Sequence, residues 1–95
     1  MAIDKLTDDA ITEHLTKLPG WSLEAGAIVK TYQFDDFVAA MGFVNALAEA
    51  AEAVKHHPDI DIRYSKVKIA LSTHDAGGIT DMDIQLAATA DGFAP

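Results

Sequence analysis

The sequence predicts an α+β fold: a four-stranded antiparallel sheet with helices packed on one face, in the order α-ββ-α-ββ-α. Three observations lead there. Two segments, 21–34 and 59–73, alternate apolar and polar residues around a central turn, the pattern of hairpins. Between them lies a stretch of about 22 residues with apolar side chains at steps of three and four, the helical spacing. The chain has 95 residues, 49% of them hydrophobic, which suffices for one core and excludes wholesale disorder. A single domain over residues 1–95 is expected.

The first helix is marked by Thr7 as N-cap, with Asp8 and Asp9 where the helix dipole favours negative charge. Leu6 and Ile11 sit at the N′ and N4 positions of a hydrophobic staple. Ile11, Leu15 and Leu18 form its apolar stripe, and Pro19-Gly20 stops it. Trp21–Glu24 and Ala27–Phe34 then flank Ala25-Gly26, a two-residue hairpin signal. That register sets Leu23 opposite Ile28 and Trp21 opposite Lys30. The inner face is expected to hold Trp21, Leu23, Ile28, Tyr32 and Phe34, with the Lys30 amine in water at the sheet border.

Asp35–His56 reads as the long helix. One stripe runs Phe37, Ala40, Val44, Leu47, Ala51, Val54. A second runs Phe43, Ala46, Ala50, Ala53. One sheet covers only one helical face, so the second stripe predicts a homo-oligomer, dimer or tetramer. Pro58 biases His57 to extended geometry and places the helix end near His56. Asp59–Tyr64 and Lys66–Thr73 alternate, and a turn around Ser65-Lys66 pairs Ile60 with Leu71, Ile62 with Ile69 and Tyr64 with Val67. The last helix opens at Thr80, where Ile79 and Ile84 repeat the staple and Thr80 with Asp83 approximates a capping box. Ala87 and Ala88 continue its buried side, and the tail after Asp91 is expected to fray.

Charge restricts partners. Asp and Glu number 15 against 7 Lys and Arg, a net charge of −8. The densest basic group, Arg63, Lys66 and Lys68, is diluted by Asp59 and Asp61. Nucleic acid and anionic membrane surfaces are therefore not expected partners. The first residues lack the basic and apolar regions of a signal peptide, and no apolar run approaches the roughly 20 residues that span a bilayer, so a cytoplasmic location is expected. With no cysteine there is neither a disulfide nor a thiolate metal ligand.

Four histidines carry the chemical interest. His14 lies off the stripe of the first helix and reads as solvated. His56 and His57 fall at a helix-to-strand break, and His74 just past the last strand. Imidazole is the side chain best suited to proton transfer near neutral pH, and sites gather where elements end. A helix terminus also favours cationic imidazole, which accounts for His56-His57-Pro58 without any catalysis. Adjacent histidines diverge in direction and no third ligand is closely spaced, so no metal site is expected. Nothing resembles a phosphate loop or dinucleotide fingerprint.

The ordered set Glu52-x-x-x-His56-His57-Pro58, Tyr64, His74 and Thr80-x-x-Asp83 resembles the pterin-4a-carbinolamine dehydratases. Pro19-Gly20-Trp21, Asp36-Phe37, Tyr64-Ser65-Lys66-Val67 and Leu71-Ser72-Thr73-His74 extend the resemblance over about Leu18 to Asp91. It implies a cofactor-free dehydratase (a carbon–oxygen hydro-lyase) that removes water from 4a-hydroxytetrahydropterin to give quinonoid dihydropterin in tetrahydropterin recycling. It implies His56 and His74 as acid and base, with His57 lining the same pocket. Glu52, one turn before His56, would orient that ring. Lys55, Pro58, Tyr64, Ser72, Thr73, Asp75 and Asp83 would meet the small-molecule pterin. The chain departs from the family at two places: Ile60 stands where many members have Trp, and Met82 where members often have Arg. An aromatic wall and a basic contact are thus absent. Animal members also act as dimerisation cofactors of a transcription factor, so a non-catalytic interaction module using the helical face is the alternative.

Overall fold

The computed structural model describes residues 4–95. It contains α1 (Asp8–Leu15), β1 (Ser22–Glu24), β2 (Ala27–Gln33), α2 (Phe37–Val54), β3 (Asp59–Arg63), β4 (Lys66–Leu71) and α3 (Asp81–Phe93), with a single 3₁₀ turn at His74–Ala76. The strands form one antiparallel sheet in the order β1-β2-β4-β3. The expected α+β architecture is the observed one.

Alternation decides which face is covered. Ile28, Tyr32, Val67, Ile69 and Leu71 are buried against Ala40, Phe43, Val44, Leu47 and Ala51 of α2 and Leu86, Ala87 and Ala90 of α3. The opposite face carries Thr31, Gln33, Asp61, Arg63 and Lys66, all exposed. An ion pair from Lys68 to Glu24, 3.2 Å, bridges strands on that side. Full burial of an aliphatic side chain contributes about 1.5–3 kcal/mol, so the four aliphatic inner-face strand residues, with Tyr32, anchor the helices.

The helix starts follow the sequence. Thr7 accepts from the Ala10 amide, Asp36 from the Ala39 amide at 2.8 Å, and Thr80 with Asp83 forms a complete capping box. The Leu23–Ile28 register holds. Leu23 itself is 48% exposed, because β1 is the edge strand and the helices do not reach over it.

The second hairpin pairs differently from the expected register. Ile60 faces Ile69 and Ile62 faces Val67, because the turn is Tyr64-Ser65 rather than Ser65-Lys66. A slip of two residues keeps every side chain on its face, so the alternation alone does not distinguish the two registers. Tyr64 adopts φ +53°, the left-handed conformation this turn requires, and is exposed instead of paired with Val67. β4 ends at Leu71, two residues short of the expected Thr73, which instead bridges to Gly78.

The long helix is shorter than its hydropathy pattern. It ends at Val54, where Lys55 turns left-handed (φ 54°, ψ 41°). The Lys55 amide then donates to the Glu52 carbonyl and the His56 amide to the Ala51 carbonyl, both at 3.1 Å, closing a Schellman motif. Phe37 and Val54, at the two ends of the expected buried stripe, are 48% and 56% exposed. Phe43, assigned to the outer stripe, is instead core: its ring lies 4.6 Å from Tyr32 and 5.1 Å from Phe34. The uncovered side of α2 is therefore narrower than the sequence suggests. α2 has 18 residues and mean hydropathy 1.4, which by composition and length would suit a bilayer, but five of its side chains are buried in this fold.

At the far end of α3 the expected fraying does not occur. Asp91 accepts from Trp21 Nε1 at 3.1 Å, from Lys30 Nζ at 2.9 Å and from the Tyr32 hydroxyl. The Lys30 amine, expected in water, also donates to the Pro19 carbonyl at 3.0 Å and sits 4.9 Å from the Tyr32 ring centroid. Gly20 makes room for this: a Cβ there would stand 2.9 Å from Lys30 Cε, and its φ is +88°. Burial opposes ionisation of Asp91, but the hydrogen bonds from Tyr32, Lys30 and Trp21 outweigh it and hold the carboxyl below its usual range. Burial first, then the Asp91 hydrogen bond and charge, push the Tyr32 hydroxyl well above its ordinary value. Ala88, by contrast, faces out; Leu86, Ala87 and Ala90 form the buried side.

Candidate active site

β3 and β4 are antiparallel and Asp59 pairs with Ala70, so the segment entering β3 and the segment leaving β4 lie side by side. They enclose an open depression of about 220 Å³ lined by Lys55, His56, His57, Ser72, Thr73, His74 and Asp75. Three imidazoles from residues 18 positions apart in sequence thus share one hollow. The left-handed turn at Lys55 is what brings the first two there.

His56 and His57 part company at this turn. His56 is 8% exposed and its Nε2 lies 2.5 Å from Asp83 Oδ1. Asp83 sits in the first turn of α3 and is fully buried. Its Oδ2 accepts from the Thr80 amide at 2.9 Å and from the Thr73 hydroxyl at 2.8 Å. Thr73 and Thr80 hydroxyls are 2.7 Å apart. Among the described residues no buried side-chain nitrogen or oxygen lacks a partner. With Asp83 as a carboxylate, which offers only acceptors, His56 donates through Nε2 and its Nδ1 is the nitrogen outside this bond. One acid therefore caps α3, ties the loop after β4 through Thr73, and sets the tautomer of His56.

His57 is exposed, and its Nε2 lies 2.8 Å from Glu52 Oε1. The Glu52 carboxylate was expected to orient His56. It pairs with His57 because the helix stops at Val54, and the chain reverses so that His57, not His56, returns over the last turn. His74 projects from the 3₁₀ turn and is exposed. That turn is closed at its neck by the Thr73–Gly78 bridge, with Thr73 N to Gly78 O at 2.8 Å.

The remaining expected site residues distribute unevenly. Ser72, Asp75 and Lys55 line the hollow, and Pro58 adjoins it without lining it. Tyr64 does not reach it. It lies at the opposite end of the β3–β4 hairpin, about 20 Å away by the rise of six extended residues, and is 69% exposed. The sequence marks Thr80 only as a cap; its hydroxyl contact to Thr73, seven residues away, carries no sequence signal. Among the described residues no group of three or more His, Asp or Glu side chains gathers as a metal-ligand set. A second hollow, about 160 Å³ and mostly apolar, lies between α2 and α3 and is lined by Ala50, Val54, Met82, Gln85, Leu86 and Thr89.

Chemically, the first hollow presents two exposed imidazoles and one oriented by a buried acid, with hydroxyls and one charge of each sign around them. That set can move protons and hold a polar heterocycle.

Comparison with known proteins places the chain in a family. Residues 4–93 match the family described as pterin 4 alpha carbinolamine dehydratase. A protein of Acidobacterium capsulatum, provisionally named as a pterin-4-alpha-carbinolamine dehydratase, is 58% identical over 85 residues, covering 90% of this chain and 92% of its own. One from Chloroflexus aggregans, under the same provisional name, is 54% identical over 88 residues, 92% of this chain and 94% of its own. The crystal structure of a transcriptional coactivator/pterin dehydratase from Brucella melitensis superposes with a TM-score of 0.94 at 34% identity, covering 97% of this chain and all of that one. A pterin dehydratase-like protein identified as a RuBisCO assembly factor in the alpha-carboxysome shares the fold, with a TM-score of 0.65 at 23% identity, covering 78% of this chain and 86% of that one. The chain belongs to the pterin 4 alpha carbinolamine dehydratase family.

Proposed function

We propose that the protein dehydrates 4a-hydroxytetrahydropterin to quinonoid dihydropterin by histidine acid–base catalysis. The observation that carries this reading is the convergence of His56, His57 and His74 on one hollow, with His56 fixed by buried Asp83. In the reaction the C4a–O bond breaks as the N5 lone pair forms the C4a=N5 bond. The departing oxygen takes a proton and leaves as water, and the N5–H proton is given up. Two imidazoles suffice, each contributing about 10²–10⁴-fold.

We assign the proton transfers to His57 and His74, whose rings are exposed at the hollow. His56, with Nε2 committed to Asp83, serves as the oriented ring that contacts the substrate through Nδ1. This shifts the role expected of His56 to His57, for the reason of burial given above. Glu52 supports His57 as a charge partner. Asp75 suits the 2-amino and N3–H donors of the pterin ring, and Ser72 its acceptors. Mixing the protein with chemically generated 4a-hydroxytetrahydropterin tests the reading: the absorbance of quinonoid dihydropterin should rise faster than in buffer. An unaltered rate sinks it.

A second reading, an interaction module, is favoured by a separate observation, the apolar hollow between α2 and α3 with Val54 exposed beside it. We propose that this face joins copies of the chain into a homo-oligomer, which is compatible with catalysis at the other hollow. A chain without dehydratase activity that still associates through this face would favour the module alone.

A further inference from the structure

We infer that Lys55 recognises an anionic group on the substrate's side chain, so that the preferred substrate is a 4a-hydroxytetrahydropterin whose C6 substituent ends in a carboxylate or a phosphate ester. This rests on the dehydratase reading and adds a substrate class to it. Lys55 is the one lysine or arginine in the lining of the hollow. Lys30, Arg63 and Lys68 each meet a carboxylate elsewhere, and Lys5, Lys17 and Lys66 are not among the lining residues. Among the described residues the Lys55 ammonium makes no ion pair, not even with Asp75 across the same hollow. With Asp75 matched to the donor edge of the pterin ring and Ser72 to its acceptors, the ring carries no charge for the ammonium to pair with. The cation is left for the substituent.

The backbone at this position points the same way. Lys55 holds the left-handed place that closes the Schellman motif, at φ 54°. Glycine takes that conformation without steric cost and asparagine with little. A long cationic side chain there costs local stability, as the same conformation does at the turn residues Ala25 and Tyr64, but of these three only Lys55 lines the hollow. The chain as a whole carries −8 and repels anions at long range, so an anionic substrate needs a local cation to be retained.

The test compares KM for three chemically generated 4a-hydroxytetrahydropterins, with a neutral, a carboxylate-ended and a phosphate-ended substituent. KM for an anionic probe should lie about two- to five-fold below the neutral one, the worth of one exposed charge pair. The larger gap of the two identifies the group. The gap should close at about 0.5 M salt. It should vanish in Lys55→Asn, which tolerates the left-handed backbone, and persist in Lys55→Arg. Equal KM values for all probes, or a gap that survives in Lys55→Asn, overturn the inference while leaving the dehydratase reading intact. No catalysis with any probe overturns both.

Discussion

Replacing Asp83 with Asn separates its structural role from its role at His56. The amide is nearly isosteric. Its oxygen can take the Oδ2 position and keep the bonds from the Thr80 amide and the Thr73 hydroxyl. Its NH₂ then meets His56 Nε2, which must become an acceptor, so the ring proton moves to Nδ1. Three bonds to a charged acceptor, worth about 1.5–3 kcal/mol each, become neutral ones worth about 0.5–1.5. Not all of this difference is realised in a relaxed site, and a net loss of about 1–3 kcal/mol is expected. For a domain of this size that lowers Tm by about 5–20 °C. The dehydration rate should fall at least about tenfold at temperatures where the variant is folded, because the free nitrogen of His56 changes from acceptor to donor. Differential scanning calorimetry, stopped-flow absorbance and long-range ¹H–¹⁵N spectra of the imidazoles read the three effects. A folded Asp83→Asn protein with the wild-type rate would refute the tautomer argument and leave Asp83 as a cap only.

Other expectations follow from the same geometry. The Asp91 carboxyl is depressed in the folded state, so its contribution to stability is present above the ordinary carboxylate value of 3.8 and lost as pH falls below it; Asp91→Asn should flatten that part of a Tm–pH profile. Tyr32 is raised, so its contribution is intact below its ordinary value of 10.0 and lost as pH rises past it, and Tyr32→Phe should be less alkali-sensitive. Val54→Asp should leave the thermal transition nearly in place but reduce the mass seen by light scattering, whereas Phe43→Asp, which buries an unpaired charge, should unfold the chain; a wild-type mass near 10.1 kDa at micromolar concentration removes the oligomer proposal. Prolonged dialysis against EDTA should not change the dehydration rate, and a rate abolished by chelation and restored by zinc would recast the histidines as ligands activating a water.

The fold was legible because its signals are periodic and local. Ala25-Gly26 and the alternation of 27–34 sufficed for the first hairpin, and Thr80 with Asp83 for the start of α3. What was not legible depends on single backbone choices or on distance. Lys55 adopts a left-handed conformation that no propensity assigns to lysine, and that turn alone exchanges the partners of Glu52. Tyr64 has a β-former's side chain but takes the turn, because a two-residue slip costs the alternation nothing. The Asp91 network joins residues up to 70 positions apart, and its acid sits where a helix end reads as frayed. The histidines were legible from their places at element ends and from the family resemblance, but burial of one and exposure of the other two appeared only in three dimensions.

Single-turnover dehydration of 4a-hydroxytetrahydropterin across pH, with wild type, His57→Ala and His74→Ala, bears most directly on the proposed chemistry. The wild type should show a bell-shaped profile from one acid and one base. Each variant should lose one limb of the bell and at least about tenfold in rate while keeping the wild-type thermal transition. Wild-type profiles in both variants, or a wild-type rate equal to that in buffer, would contradict catalysis by these two imidazoles.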